Sequence, residues 1–334
     1  MPVFHRRSLP AFAASLLAAT QSGAFAQSAG AALPGALPAG TLRLVVPYNP
    51  GGITDILARG MAQSLTPILG NTTVVENRPG ANGSIGANMV ARSPADGLTL
   101  LVGVTDTHAV NPAAMRNLPY DPERDFEPVS NITNVPLALA VGPTQREIVD
   151  LRAFIAAARA RPGALTHSSW GVGSVSQIAM LRIGAAAGVE LLHVPFTGAA
   201  PAQQALAAGQ VDSMVMPAGA AEALARDGRV RVLATLSPAR LALLPDVPTL
   251  QEQGVALSTT IFQAIFAPAR TPAAAIARLN AAMGLALQTP SMLEILRAQA
   301  ALPDHTTPAG LAQRAREERE AWGAVVRSAN IRLD

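Results

Sequence analysis

The 334-residue sequence contains no cysteine and no lysine, and aromatic residues make up only 4% of it. Without cysteine there is no disulfide, no thiolate metal site, no cysteine nucleophile and no lipid attached through a cysteine behind an export signal. Without lysine, all 25 basic residues are arginine. The Walker lysine is therefore missing, and so is a G-x-G-x-x-G run, which removes the usual nucleotide-phosphate cradles. The arginines are scattered and interleaved with acids, as from Arg314 to Glu320, which describes a solvated helix surface and not a nucleic-acid stripe. His5, His108, His167, His193 and His305 show no metal-ligand spacing, and no Ser-His-Asp arrangement is recognisable. A hydrolase or oxidoreductase therefore has no constellation to work with, and no metal or cofactor is expected.

What is present begins with a leader. Arg6 and Arg7 precede an apolar run from Leu9 to Ala19 and the triplet Ala24-Phe25-Ala26, which together make a charged region, an apolar region and an A-x-A cleavage site. The run is shorter than the roughly 20 apolar residues that span a bilayer. Residues 1–26 are thus read as a signal peptide and the rest as an exported, periplasmic chain. The adjacent arginines leave the twin-arginine route open, but Ser8, Leu9 and Pro10 match that signal only loosely, so the general secretory route is the expectation. Cleavage leaves 308 residues, enough for two domains, and lowers the formal charge from +3 to +1. Residues 27–40, rich in Ala, Gly and Pro, read as a flexible lead-in.

From Thr41 onward, β-branched runs alternate with helical patterns. Strand 42–46, helix 53–69, strand 73–76, helix 85–92 and strand 98–102 come first. After an irregular stretch the rhythm resumes with helix 151–161, strand 165–168, helix 175–187, strand 190–194, helix 199–208 and strand 211–216. Such alternation predicts α/β units on largely parallel sheets. Helices predicted at 272–287, 291–299 and 308–328 close the chain, their starts marked by Thr271-Pro272, Thr289-Pro290 and Thr307-Pro308.

The segment Val46 to Asp55, VPYNPGGITD, breaks a buried strand into a Pro/Gly loop and enters a helix. Free N–H groups and the dipole of such a helix start suit an anion, although a plain strand-to-helix turn accounts for the same residues. This segment is followed in order by VVENRPGANGSIGA, PADGLTLLVG, LPYDPERDFEPVS, LLHVPFTGAAPA and LPDVPTLQEQG. Together the six resemble the tripartite tricarboxylate transporter substrate-binding family, also called the Bug family, from about Thr41 to the C-terminus.

The resemblance implies a two-domain periplasmic-binding-protein fold, type II-like, with a ligand cleft between domains crossed twice by the chain. Domain one would comprise 41–138 and 265–334 and domain two 139–264, with crossings near 137–142 and 258–267. It implies capture of a small carboxylate for membrane subunits of a tripartite transporter, by a protein acting as a monomer and without catalysis. The alternative is a ligand sensor that signals to a receptor or sensor kinase. Family members hold a ligand carboxylate through loop N–H groups, hydroxyls and waters. The matching residues are Tyr48, Asn49, Gly51, Gly52, Thr54 and Asp55, with Thr105, Thr107 and His108 after a second strand. A third loop supplies Trp170, Gly171, Gly173, Ser174 and Ser176, and Met216 and Phe262 complete the set. For His108 a structural role, and for Ser174 helix capping, compete with or accompany ligand contact.

Three departures stand out from the family pattern. Asp106 takes the place of a small residue, and its carboxylate would repel an anion unless paired or turned away. Met216 and Pro217 stand where relatives carry Asp-Asn, which argues for an acid without an amine. Thr197 replaces a common lysine.

Overall fold

The computed structural model describes residues 33–328 and Ile331. The expected signal peptide, 1–26, and residues 27–32 lie outside the described residues. Residues 33–40 form neither helix nor strand, yet they are fastened to the body. Leu33 and Leu37 pack on the core, and Asn71 Nδ2 donates to the carbonyls of Pro38 and Gly40 at 3.1 and 2.9 Å.

The first α/β run comprises β1 (Leu42–Val46), α1 (Ile53–Leu69), β2 (Thr73–Asn77), α2 (Ser84–Ala91) and β3 (Thr99–Val104). β1 pairs in parallel with both β2 and β3. Leu42, Leu44, Val45 and Val46 are fully buried, as befits a strand covered on both faces, and this is why it reads as an apolar run instead of an alternation. A π-turn over Asp106–Val110 and the short α3 (Asn111–Ala114) lead to β4 (Phe126–Val141). The second run is α4 (Leu151–Ala160), β5 (Thr166–Ser169), α5 (Val175–Ala187), β6 (Leu192–Pro195), α6 (Ala199–Ala207), β7 (Ser213–Pro217), α7 (Ala218–Arg226) and β8 (Arg231–Thr235). Then follow β9 (Thr260–Pro268), α8 (Ala273–Ala286), α9 (Pro290–Ala298) and α10 (Pro308–Ser328).

The strand order is β2-β1-β3-β9-β4-β7-β5-β6, with β8 also on β4. Within the groups β2-β1-β3 and β7-β5-β6 the pairing is parallel. The expectation of a largely parallel sheet needs correction between them. β4 pairs antiparallel with β9 along its first part and with β7 and β8 from Leu137 and Ala138 onward. The chain enters the second group on β4 and returns on β9, so its two crossings run in opposite directions.

The sequence hides β4 because Pro128 and Pro136 read as strand breakers. Register shifts beside Pro128/Ser130 and Asn131/Thr133 accompany the first proline and bend the strand. The helix starts are mixed. Thr289 caps α9 by accepting from Met292 N, and Thr307 accepts from Gly310 N at 3.1 Å. Thr271 does not cap α8; its hydroxyl donates to Pro268 O at 2.7 Å and Pro272 holds the cap position. No helix among the described residues is long and apolar enough to cross a membrane.

Candidate functional site

The loops that follow β1, β3, β5 and β7 meet over the junction of the two strand groups, where open α/β sheets place their ligands. They enclose a narrow cleft with a cavity volume of about 30 Å³. Tyr48, Asn49, Gly52, Ile53, Thr54 and Asp55 form one side with Val104 and Asp106. Trp170, Ala199 and Pro217 form the other, and Ile261 and Gln263 of β9 lie between.

The N-terminus of α1 points into this cleft without a side-chain cap on its first turn. Gly51, at φ 89°, makes the turn into it. Asp55 lines the cleft but is spoken for: it accepts from Gly51 N at 3.0 Å, from Arg59 Nε and Nη2 at 2.9 and 3.0 Å, and from Asn77 Nδ2 at 2.9 Å. Burial raises its pKa, but these hydrogen bonds outweigh that and hold it below the usual carboxylate range. Its work is to shape the loop. The Gln263 side-chain oxygen is buried and has no hydrogen-bond partner among the described residues; the buried Tyr48 hydroxyl makes no hydrogen bond of good geometry either, but it lies against the Asp106 carboxylate. Burial, with the Asp106 charge nearby, pushes the Tyr48 phenol well above its ordinary range, so it stays a neutral donor.

The N-terminus of α5, opposite, is filled from within. Asp106 Oδ1 accepts from Val175 N at 2.8 Å, and Oδ2 from Trp170 Nε1 at 3.4 Å, across 69 and 64 residues of chain. Ser174 caps the helix, its hydroxyl donating to Gly171 O at 2.7 Å and accepting from Gln177 N. Gly173, at φ 73°, gives its N–H to the Gln177 side chain at 2.6 Å. The Ser176 hydroxyl donates to Val215 O at 2.6 Å. The Asp106 carboxyl is 2% exposed, and burial raises its pKa to about 6 despite these donors. At the rim, Asn49 Nδ2 donates to the carbonyl and hydroxyl oxygens of Thr197, a second tie across the cleft and the role of the threonine that replaces lysine.

Several expected contacts lie elsewhere. Thr105 Oγ1 accepts from Phe262 N at 2.9 Å, and Thr107 Oγ1 bonds Val104 N and O and meets His108 Nδ1 at 2.9 Å. His108 stacks on Phe266 at 3.8 Å, and burial, with the Arg319 charge second, lowers its pKa to about 3. It is a neutral packing residue, not part of the cleft lining. Phe262 belongs to the same aromatic cluster, while its neighbour Gln263 lines the cleft. Met216 sits in the main core and Pro217 lines the cleft in its stead. Both corrections have one cause: successive residues of a strand face opposite sides, so a shift of one position exchanges cleft for core. The argument against an amine, resting on Met216, loses its footing with that residue's burial. Gln263 was missed, although a lone amide in the apolar run Ile261–Pro268 is the mark of a buried polar group that needs a partner.

The sequence matches the family model described as the tripartite tricarboxylate transporter family receptor over residues 57–331. The chain belongs to that family. Protein BugT of Bordetella pertussis (strain Tohama I) is 35% identical over 320 residues, covering 93% of this chain and 97% of BugT. MatC from Rhodopseudomonas palustris, solved with bound malate, has a TM-score of 0.83 at 35% identity, covering 87% of this chain and 100% of MatC. R. palustris Rpa4515, solved with adipate, has a TM-score of 0.85 at 33% identity, covering 88% and 99%. This family receptor therefore has the mixed α/β periplasmic-binding-protein fold that its six motifs led one to expect.

Proposed function

We propose that this receptor captures a small organic acid in the periplasm, seats its carboxylate on the N-terminus of α1, and delivers it unchanged to membrane subunits of a tripartite transporter. The observation that carries the reading is the uncapped first turn of α1 opening into a cleft where the buried Gln263 amide oxygen lacks a partner and the buried Tyr48 hydroxyl makes no hydrogen bond of good geometry. A helix start contributes about 0.3 to 2 kcal/mol to an anion. A buried hydroxyl beside it without a well-made hydrogen bond supplies a further donor. Gln263 serves a ligand hydroxyl as acceptor or, with its amide turned, a carboxylate as donor. The malate in MatC and the adipate in Rpa4515 support an acid as the ligand class.

Capture works by hinged closure. Residues 41–138 with 265–334 form one lobe and 139–264 the other, joined where β4 passes Pro136 and where the chain re-enters β9. The Asp106–Val175 and Asn49–Thr197 bonds belong to the closed state, and a ligand favours closure by touching both lobes. The leader at 1–26 directs the chain to the periplasm.

The test is a thermal-shift and calorimetric screen of the mature protein, unfolded and refolded to strip carried ligand, against organic acids, amino acids and sugars. A ligand at 100 times its Kd adds about 2.7 kcal/mol of stability. We expect a saturable shift with organic acids and the bound acid recovered intact. Binding confined to sugars, or conversion of the acid on incubation, would refute the reading.

A further inference from the structure

The two helix starts that face each other across the cleft are unequal. That of α1 is open, and the 1%-exposed Gln263 offers an unpartnered oxygen in the same cleft. That of α5 is largely satisfied by the chain itself: Gly173 N by Gln177, Ser174 N by Gly171 O, Val175 N by Asp106, and Gln177 N by Ser174, with Ser176 N left over. We propose that Asp106 is a specificity-determining residue: its carboxylate occupies the anion seat of α5, so the receptor accepts acids with one carboxylate and rejects those carrying a second. The inference rests on the carboxylate reading above and deepens it.

Charge supports it. The donors to Asp106 are a backbone N–H, an indole N–H and the Asn82 amide at 3.5 Å, with the Tyr48 hydroxyl close by, none of them charged. Its negative charge is held in place without being neutralised. Two like charges in a confined, poorly solvated site repel far more strongly than in water. A ligand reaching from α1 towards α5 therefore meets an anion where a dicarboxylate would need a donor. The long contact from Trp170 leaves Oδ2 free to accept from a hydroxyl, so the far end of the ligand is neutral or a hydrogen-bond donor.

The experiment measures Kd by calorimetry at pH 7.5, where the Asp106 carboxyl is ionised. It uses matched pairs of acids that differ only in a second carboxylate, such as hexanoate and adipate, across chain lengths and with an aromatic pair. The wild-type protein is compared with Asp106→Asn, which removes charge but keeps volume, and Asp106→Ala, which removes both. We expect the wild type to favour the single acid by about tenfold or more in the pair that fits, and the ratio to fall towards one in Asn and further in Ala. A wild type that binds the dicarboxylate as well as its partner overturns the inference and leaves the carboxylate reading intact. The same holds if both folded variants keep the wild-type ratio. Absence of binding by any acid overturns the carboxylate reading and this inference with it. Cooperative melting establishes that each variant is folded, and the wild-type ratio decides the matter even where a variant is not.

Discussion

Asp106→Asn also tests the electrostatics of the closed cleft through stability alone. Raising the Asp106 carboxyl from its ordinary 3.8 to about 6 corresponds to about 3 kcal/mol of preference for the neutral form. Because the folded state binds the proton more tightly, it carries more protons than the unfolded chain between those two values. Stability therefore falls as pH rises through the window, and the full penalty is present above it. Asparagine does not titrate, so the stability difference, variant minus wild type, should move in favour of the variant by about 2 to 3 kcal/mol between pH 4 and pH 7. Urea unfolding followed by tryptophan fluorescence measures this, with Trp170 directly beside the site. The absolute difference at any one pH mixes in altered hydrogen bonding, but its change with pH isolates the carboxyl. A difference flat within about 0.5 kcal/mol across that range would refute the reasoning.

Three further outcomes follow from named contacts. Tyr48→Phe removes a hydroxyl that makes no hydrogen bond of good geometry within the protein, so stability without ligand should hold or rise while acid binding weakens by about fivefold, the worth of one neutral hydrogen bond of about 1 kcal/mol; calorimetry and melting read the two separately. Asp55→Asn withdraws the charge that holds Gly51, Arg59 and Asn77 and should cost about 1.5 to 3 kcal/mol at pH 7. That cost should vanish on acidification through the lowered pKa of Asp55, as urea midpoints against pH would show. Gly86→Ala places a methyl 2.8 Å from Arg78 O and 3.0 Å from Pro47 Cα, which should destabilise by about 1 to 3 kcal/mol; because Pro47 leads the binding loop, acid affinity should fall as well, whereas an unchanged Kd would show that the loop does not transmit the displacement.

Local rules carried the sequence a long way. Helices 53–69, 175–187 and 308–328 and strand 42–46 were legible to the residue because apolar patterning agrees with a boundary signal at each helix: the Gly70 stop, the Ser174 cap with the Gly188 stop, and Thr307-Pro308. So was the loop at α1, where a Pro/Gly break must leave N–H groups unpaired. The order of six motifs was sufficient to identify the family. What the sequence could not determine was which side of a strand faces the cleft: Met216 against Pro217, and Phe262 against Gln263, differ by one position, and only the packed sheet sets that phase. Nor could it say where hydroxyls and carboxylates would find partners. Ser176 looks free in the sequence and is bound in the fold, whereas the cap that Ser174 makes could be read from its place before a helix. Asp106 was legible only as a charge that needed pairing, because its partners, Val175 and Trp170, lie more than 60 residues away along the chain. Hydrogen bonding and burial depend on distance in space, and tertiary structure alone brings a carboxylate from one strand group to the helix start of the other.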